Sequence, residues 1–186
     1  MVQDGARQTI NRMYVEYQEN YEFLMGNHQI GFATDYKSQF SKVLLLSVAS
    51  YFEVRMTEVL KRILLSDFCP LVNNFLERKA LSRQYHTLFN WTQGESGVNQ
   101  FFGFLGKDFQ NFMKAKKELE PQLRPAIAAF MELGSARNNM VHGNYAIFRL
   151  DMTADDVKIK FDSALFFVDN LERHVDEFRS LPVTEE

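Results

Sequence analysis

Residues 133–144 gather Arg137, Asn138, Asn139 and His142 at the end of an otherwise apolar stretch. Those types suit phosphate chemistry. Arginine offers a planar fork that matches two phosphate oxygens and stays charged, whereas histidine, with an ordinary pKa of about 6.5, can take or give a proton near neutrality. Asn138 and His142 are four residues apart and share a helix face, so Asn138 can orient the imidazole or bind phosphate. Arg137 stands about 140° from His142 on an ideal helix; the two heads converge only because arginine is long and the helix ends at Gly143. With Leu133, Met140 and Val141 as neighbours, Arg137 projects from near a buried stripe and needs a partner. Glu53, beside Ala49 and Met56 on another apolar ridge, is a candidate. The same residues also suit a plain helix terminus, with His142 capping carbonyls and Arg137 paired to Glu53.

Most other catalytic arrangements are missing. There is no GxxxxGK[ST] loop, and the run Gly103 to Lys107 lacks the spacing and hydroxyl of a phosphate-binding loop. His28, His86, His142 and His174 are scattered, without an HxH or HExxH pattern, so no metal and no cofactor are expected. Cys69, the single cysteine, lies between Phe68 and Pro70, a context closer to a helix end than to an activated thiolate.

The elements that must position this segment are helices. Phe40, Leu44, Val48, Phe52, Met56, Leu60 and Leu64 recur every fourth residue, with Val43, Leu46, Val59 and Ile63 broadening the face. That predicts a long helix over 35–66, capped by Thr34 or Asp35 and central to a bundle. A helix over 8–28 groups Ile10, Met13, Tyr14, Tyr17, Tyr21 and Leu24. Pro121 suits the first turn of the motif helix, whose stripe is Ile127, Phe130, Met131, Met140 and Val141, and Gly143 suits the position past its end. Thr153 and Asp156 resemble a capping box for a last helix running from Val157 to Phe178. The segment 81–117 predicts two short helices around a glycine loop, with Phe101, Phe102, Phe104, Phe109 and Phe112 packing over the bundle end rather than stacking on bases. No alternating run makes a strand. The expected fold is all-α, an antiparallel helical bundle in one domain over 1–186, with a core at about 35–180 and an N-terminal helix in 1–30.

Composition agrees: 186 residues, 46% apolar and 24% charged, describe a globular domain. The longest uncharged apolar run, 43–52, is about half of what a bilayer needs, and the charged first thirty residues do not resemble a secretory signal. A cytoplasmic protein with no membrane contact is expected. Residues 151–186 hold ten acids against four bases, so 1–150 carry the basic excess, clustered at Arg78, Lys79 and Arg83 and at Lys107, Lys114, Lys116 and Lys117. Solvated helix faces explain such clusters, and a small positive cleft for short or single-stranded nucleic acid is the alternative.

Arg137-Asn138-Asn139-Met140-Val141-His142 resembles the Arg-x4-6-His signature of the HEPN superfamily, and the phrase over 130–145 resembles its RiboL-PSP-type branch. Stretches 50–58 and 99–109 agree with that branch. The resemblance implies a helical bundle that forms a homodimer in which the motif helices meet. It also implies metal-independent cleavage of an RNA substrate at a composite cleft, often by a toxin or antiphage effector with a cognate antitoxin or defence-system partner. On that basis Arg137, His142 and Asn138 are the catalytic candidates, Glu53 holds Arg137, and Asn144 and Tyr145 shape the entrance. A non-catalytic nucleotide or RNA binder, or a dimerising interaction module, would carry the same motif.

Overall fold

The ridge of apolar residues at every fourth position becomes the longest helix of a computed structural model that describes residues 2–65, 70–76 and 85–182. In chain order the helices are α1 (Val2–Gly26), α2 (Ile30–Leu64), α3 (Pro70–Leu76), α4 (Val98–Phe104), α5 (Lys107–Leu119), α6 (Leu123–His142) and α7 (Ala154–Arg179). Two 3₁₀ stretches, Tyr85–Thr87 and Trp91–Gly97, the second broken by a kink at Gln93 and Gly94, precede α4, and no strand occurs among the described residues. Cys69, Ser66 and the cations Arg78, Lys79 and Arg83 lie outside the described residues.

α2 begins at Ile30, five residues before the expected start, with Gln29 as an N-cap that makes no side-chain bond. Thr34 does not cap; its hydroxyl donates to the Ile30 carbonyl at 2.9 Å, one turn back inside the helix. His28, at φ 57, reverses the chain between α1 and α2. α6, by contrast, starts later than expected: Pro121 lies in the preceding turn and Pro125 occupies the first turn, where a missing N–H costs nothing. The expected capping box forms, Thr153 Oγ1 accepting from Asp156 N at 3.1 Å and Asp156 Oδ2 accepting from Thr153 N at 2.9 Å.

Contacts fix the directions of the four long helices. Tyr17 stacks on Phe40 with centroids 4.6 Å apart, and Asn20 donates to the Tyr36 hydroxyl, so α1 and α2 are antiparallel. Phe130 meets Phe167 and Lys160 meets Glu132, so α6 and α7 are antiparallel. Arg55 pairs with Asp169 and Arg62 with Glu172, which sets α2 and α7 side by side in one direction. α2 touches α1, α6 and α7 and is central. Phe52, fully buried, lies edge-on to Phe130 at 5.6 Å and tilted to Phe161 at 5.4 Å, joining three helices in one aromatic contact. Two expected core positions are outside: Val43 is 43% and Val141 48% exposed. Phe101, Phe102 and Phe109 are buried and Phe112 packs against the core, whereas Phe104, 64% exposed, does not take the packing expected of it.

At the junction of α5 and α7, Glu120 caps α5 and accepts from Arg173 at 3.1 Å and from the fully buried His174 at 3.0 Å. Burial alone would push the Glu120 carboxyl up; the bonds from Arg173 and His174 outweigh it and hold its pKa down at about 2. Burial pushes His174 below its ordinary value, against the pull of Glu120. Both groups bind fewer protons folded than unfolded, so the stabilisation present above the unfolded value of Glu120 is lost as pH falls toward 2. Glu120→Gln should lower stability at neutral pH by about 1–3 kcal/mol and flatten the acid limb of a plot of Tm against pH. A mutant whose acid limb overlays that of the wild type would show that the junction does not set the acid sensitivity.

Candidate functional site

Gly134 sits in the middle of α6, where glycine costs about 1 kcal/mol relative to alanine. Space explains it: a Cβ there would lie 2.0 Å from Cζ3 of Trp91. The indole therefore lies directly on the α6 backbone. Its Nε1–H donates to the His86 carbonyl at 2.8 Å, tying the Tyr85–Thr87 turn to the same helix. Gly97 completes the arrangement, because its Cβ would meet the Asn90 carbonyl oxygen at 1.9 Å, and its own carbonyl accepts from Asn90 N at 3.1 Å.

The turn so anchored forms one wall of an open groove of about 690 Å³, and the last turns of α6 form the other. Its size suits a ligand of nucleotide dimensions. Arg137, Asn138 and His142 line it from α6, and His86, Asn90 and Gln100 face them. Arg137 is half-buried and donates from Nη1 to Asn138 Oδ1 at 3.0 Å; His142 is exposed in the last turn. The three expected catalytic candidates thus share one surface.

Glu53 departs from its expected role. It is exposed, and among the described residues no carboxylate lies within ion-pair distance of Arg137. Glu53 and Arg137 do line one narrow pocket of about 20 Å³ with Tyr85, His86 and Asn138, too small for anything larger than a water. The Tyr85 phenol is pushed up by burial and by Glu53, against the pull of Arg137. Asn144 and Tyr145 also work elsewhere. The Asn144 side chain accepts from Ala146 N at 3.1 Å and its carbonyl accepts from Phe148 N at 2.8 Å, turning the chain after α6. Tyr145 offers its carbonyl, at 3.3 Å, and its ring to the buried Lys42 of α2. Gly143 closes α6 with φ −81, so it is not a left-handed cap; a Cβ there would lie 3.2 Å from Phe148.

Sequence reasoning does not single out His86 or Trp91, whose spacing matches no known catalytic pattern. The one signal in the sequence is Gly134, a costly residue two turns ahead of the motif histidine. The basic cluster at 107–117 is divided: Lys116 turns to Glu177 at 2.5 Å, and Lys117 pairs with Glu95 at 3.1 Å. Lys107, Lys114 and Arg124 border a separate polar groove of about 410 Å³. Among the described residues, no cluster of side chains could hold a metal ion, and no helix is long and apolar enough to cross a membrane.

The RiboL-PSP-HEPN family model matches residues 14–177. Neither a curated protein nor a solved structure matches the chain.

Trp91 is the single tryptophan, so its fluorescence reads this clamp directly. Gly134→Ala should displace the indole, shift its emission to the red and cost about 1–3 kcal/mol from overpacking. An unchanged spectrum and Tm would show that the indole does not rest on the Gly134 backbone.

Proposed function

The chain belongs to the RiboL-PSP-HEPN family, which supports an RNA-related function, and from that premise we propose that it is a metal-independent endoribonuclease acting at the groove of Arg137 and His142. The observation that carries this reading is the convergence of a half-buried arginine and an exposed histidine on one groove of nucleotide size.

RNA brings its own nucleophile. An imidazole takes the proton of the 2′-hydroxyl, the freed oxygen attacks phosphorus, and the P–O5′ bond breaks as the 5′-oxygen gains a proton. Negative charge grows on the non-bridging oxygens, where the Arg137 fork binds it best. Asn138 fixes that fork through its 3.0 Å bond. Glu53 acts on the guanidinium through charge at a distance, and Asn144 and Tyr145 hold the turn that ends α6. The products carry a 2′,3′-cyclic phosphate and a 5′-hydroxyl.

The protein acts as a homodimer in which the two grooves meet across a two-fold axis and form one shared cleft. Val141, Tyr145 and Ile147, which follow Arg137 closely and are 48%, 39% and 77% exposed, give that end of α6 the apolar surface such contact needs. A role as toxin or antiphage effector, held in check by a cognate antitoxin or a defence-system partner, fits this activity.

His142→Ala should slow cleavage by roughly 10²–10⁴-fold while RNA binding persists; Arg137→Lys keeps the charge but loses the fork, and activity should still fall sharply. Cleavage should proceed equally well in EDTA. Dependence on magnesium, or products with 5′-phosphates, would mean that water is the nucleophile and that Arg137 and His142 do not play these roles; RNA binding without turnover would mark a non-catalytic binder. Light scattering should give a dimer at micromolar concentration, and a monomer there would remove the shared cleft.

A further inference from the structure

Cleavage by an internal 2′-hydroxyl requires two proton transfers, one from the nucleophile and one to the leaving 5′-oxygen. Within one protomer α6 supplies a single imidazole. Arginine as a residue type is no proton donor or acceptor near neutrality, and no carboxylate lines the groove among the described residues. Of the four histidines, His28 lies in the link between α1 and α2, and His174 is buried against Glu120. His86 alone shares the groove with His142, and it also borders the narrow pocket beside Arg137 and Asn138.

We propose that His86 is the second proton-transfer group of the reaction and, with His142, a catalytic residue of the same protomer. This rests on the ribonuclease reading above. One imidazole starts neutral and takes the 2′-hydroxyl proton as the P–O2′ bond forms. The other starts protonated and gives its proton to the 5′-oxygen as the P–O5′ bond breaks, and water restores both afterwards. The His142 of the second protomer is the other imidazole that a shared cleft would bring near, and the activity of His86→Gln decides between the two.

Position supports the assignment. His86 is exposed and belongs to a three-residue 3₁₀ turn, which has little rigidity of its own. The Trp91 indole N–H holds the His86 carbonyl at 2.8 Å, and the bare Gly134 backbone seats the indole on α6. The main chain at His86 is therefore fixed to the helix that carries Arg137 and His142. A catalytic imidazole needs such support from its surroundings.

The test compares wild type, His86→Gln and His142→Gln, each checked for unchanged Tm, on RNA in EDTA across pH. Wild type should give a bell-shaped profile of kcat/KM. Each variant should lose about 10²–10⁴-fold and one limb of the bell, with the loss in kcat rather than KM. A nucleoside 3′-(p-nitrophenyl phosphate), whose leaving group needs no proton, should then restore one of the two variants, and only one, to within about tenfold of wild type. His86→Gln remaining within about threefold of wild type on RNA, or keeping both limbs of the bell, would overturn the assignment while leaving a His142-dependent ribonuclease standing. So would failure of the activated substrate to restore either variant. A wild type that does not cut RNA, or that cuts it equally well without His142, would take both readings down.

Discussion

An indole can lie against a helix backbone only where the helix has no side chain, and in this protein that place is Gly134. A Cβ there would stand 2.0 Å from a ring carbon of Trp91, a distance no real contact reaches. The contact does two jobs. It extends the aromatic core, since Trp91 also meets Phe89 at 4.9 Å and Phe130 at 5.8 Å, and Phe130 carries that packing on to α2 and α7 through Phe52 and Phe167. It also turns the indole N–H toward the His86 carbonyl, which binds an irregular piece of chain to a regular one. The groove is a consequence of this seam between the 3₁₀ segments and α6.

Charge is arranged by the same packing. Three of the acids of α7 pair with cations of neighbouring helices: Asp169 with Arg55, Glu172 with Arg62, and Glu177 with Lys116. Exposed pairs of this kind contribute little singly. What they do is register α7 against α2 and α5 and remove several cations from any external role. The result is a groove in which Arg137 is the one lysine or arginine among the described lining residues, rather than a broad basic field. Such a surface suits a phosphate held at one point, not a long duplex read by many phosphate contacts.

The ends of α6 show how a local rule can be right about position and wrong about cause. Gly143 follows the helix as expected, yet its backbone is extended, and its smallness makes room for the Asn139 carbonyl and the ring of Phe148. Pro125 rather than Pro121 takes the first turn, since either satisfies the rule that an early helical N–H has no partner to lose. Thr34 has the chemistry of a cap, but the tight reversal at His28 lets α2 start earlier and leaves Thr34 bonded within it.

Periodicity makes the four long helices legible, because a face of Leu, Phe and Met at helical spacing has to be buried wherever its partners lie. The Thr153–Asp156 box is equally legible, since it is complete within four residues. So are Arg137, Asn138 and His142 as one group, for Asn138 and His142 share a helix face and the long Arg137 side chain reaches them at the helix end. Glu53 invites an ion pair that its exposure does not support, and Asn144 and Tyr145 suggest an entrance they do not line; each depends on side-chain directions that spacing does not fix. His86 stands about fifty residues before the motif, in a segment with no repeating pattern. It reaches the groove because an indole packs on Gly134, a contact between distant parts of the chain that exists only once the bundle has formed.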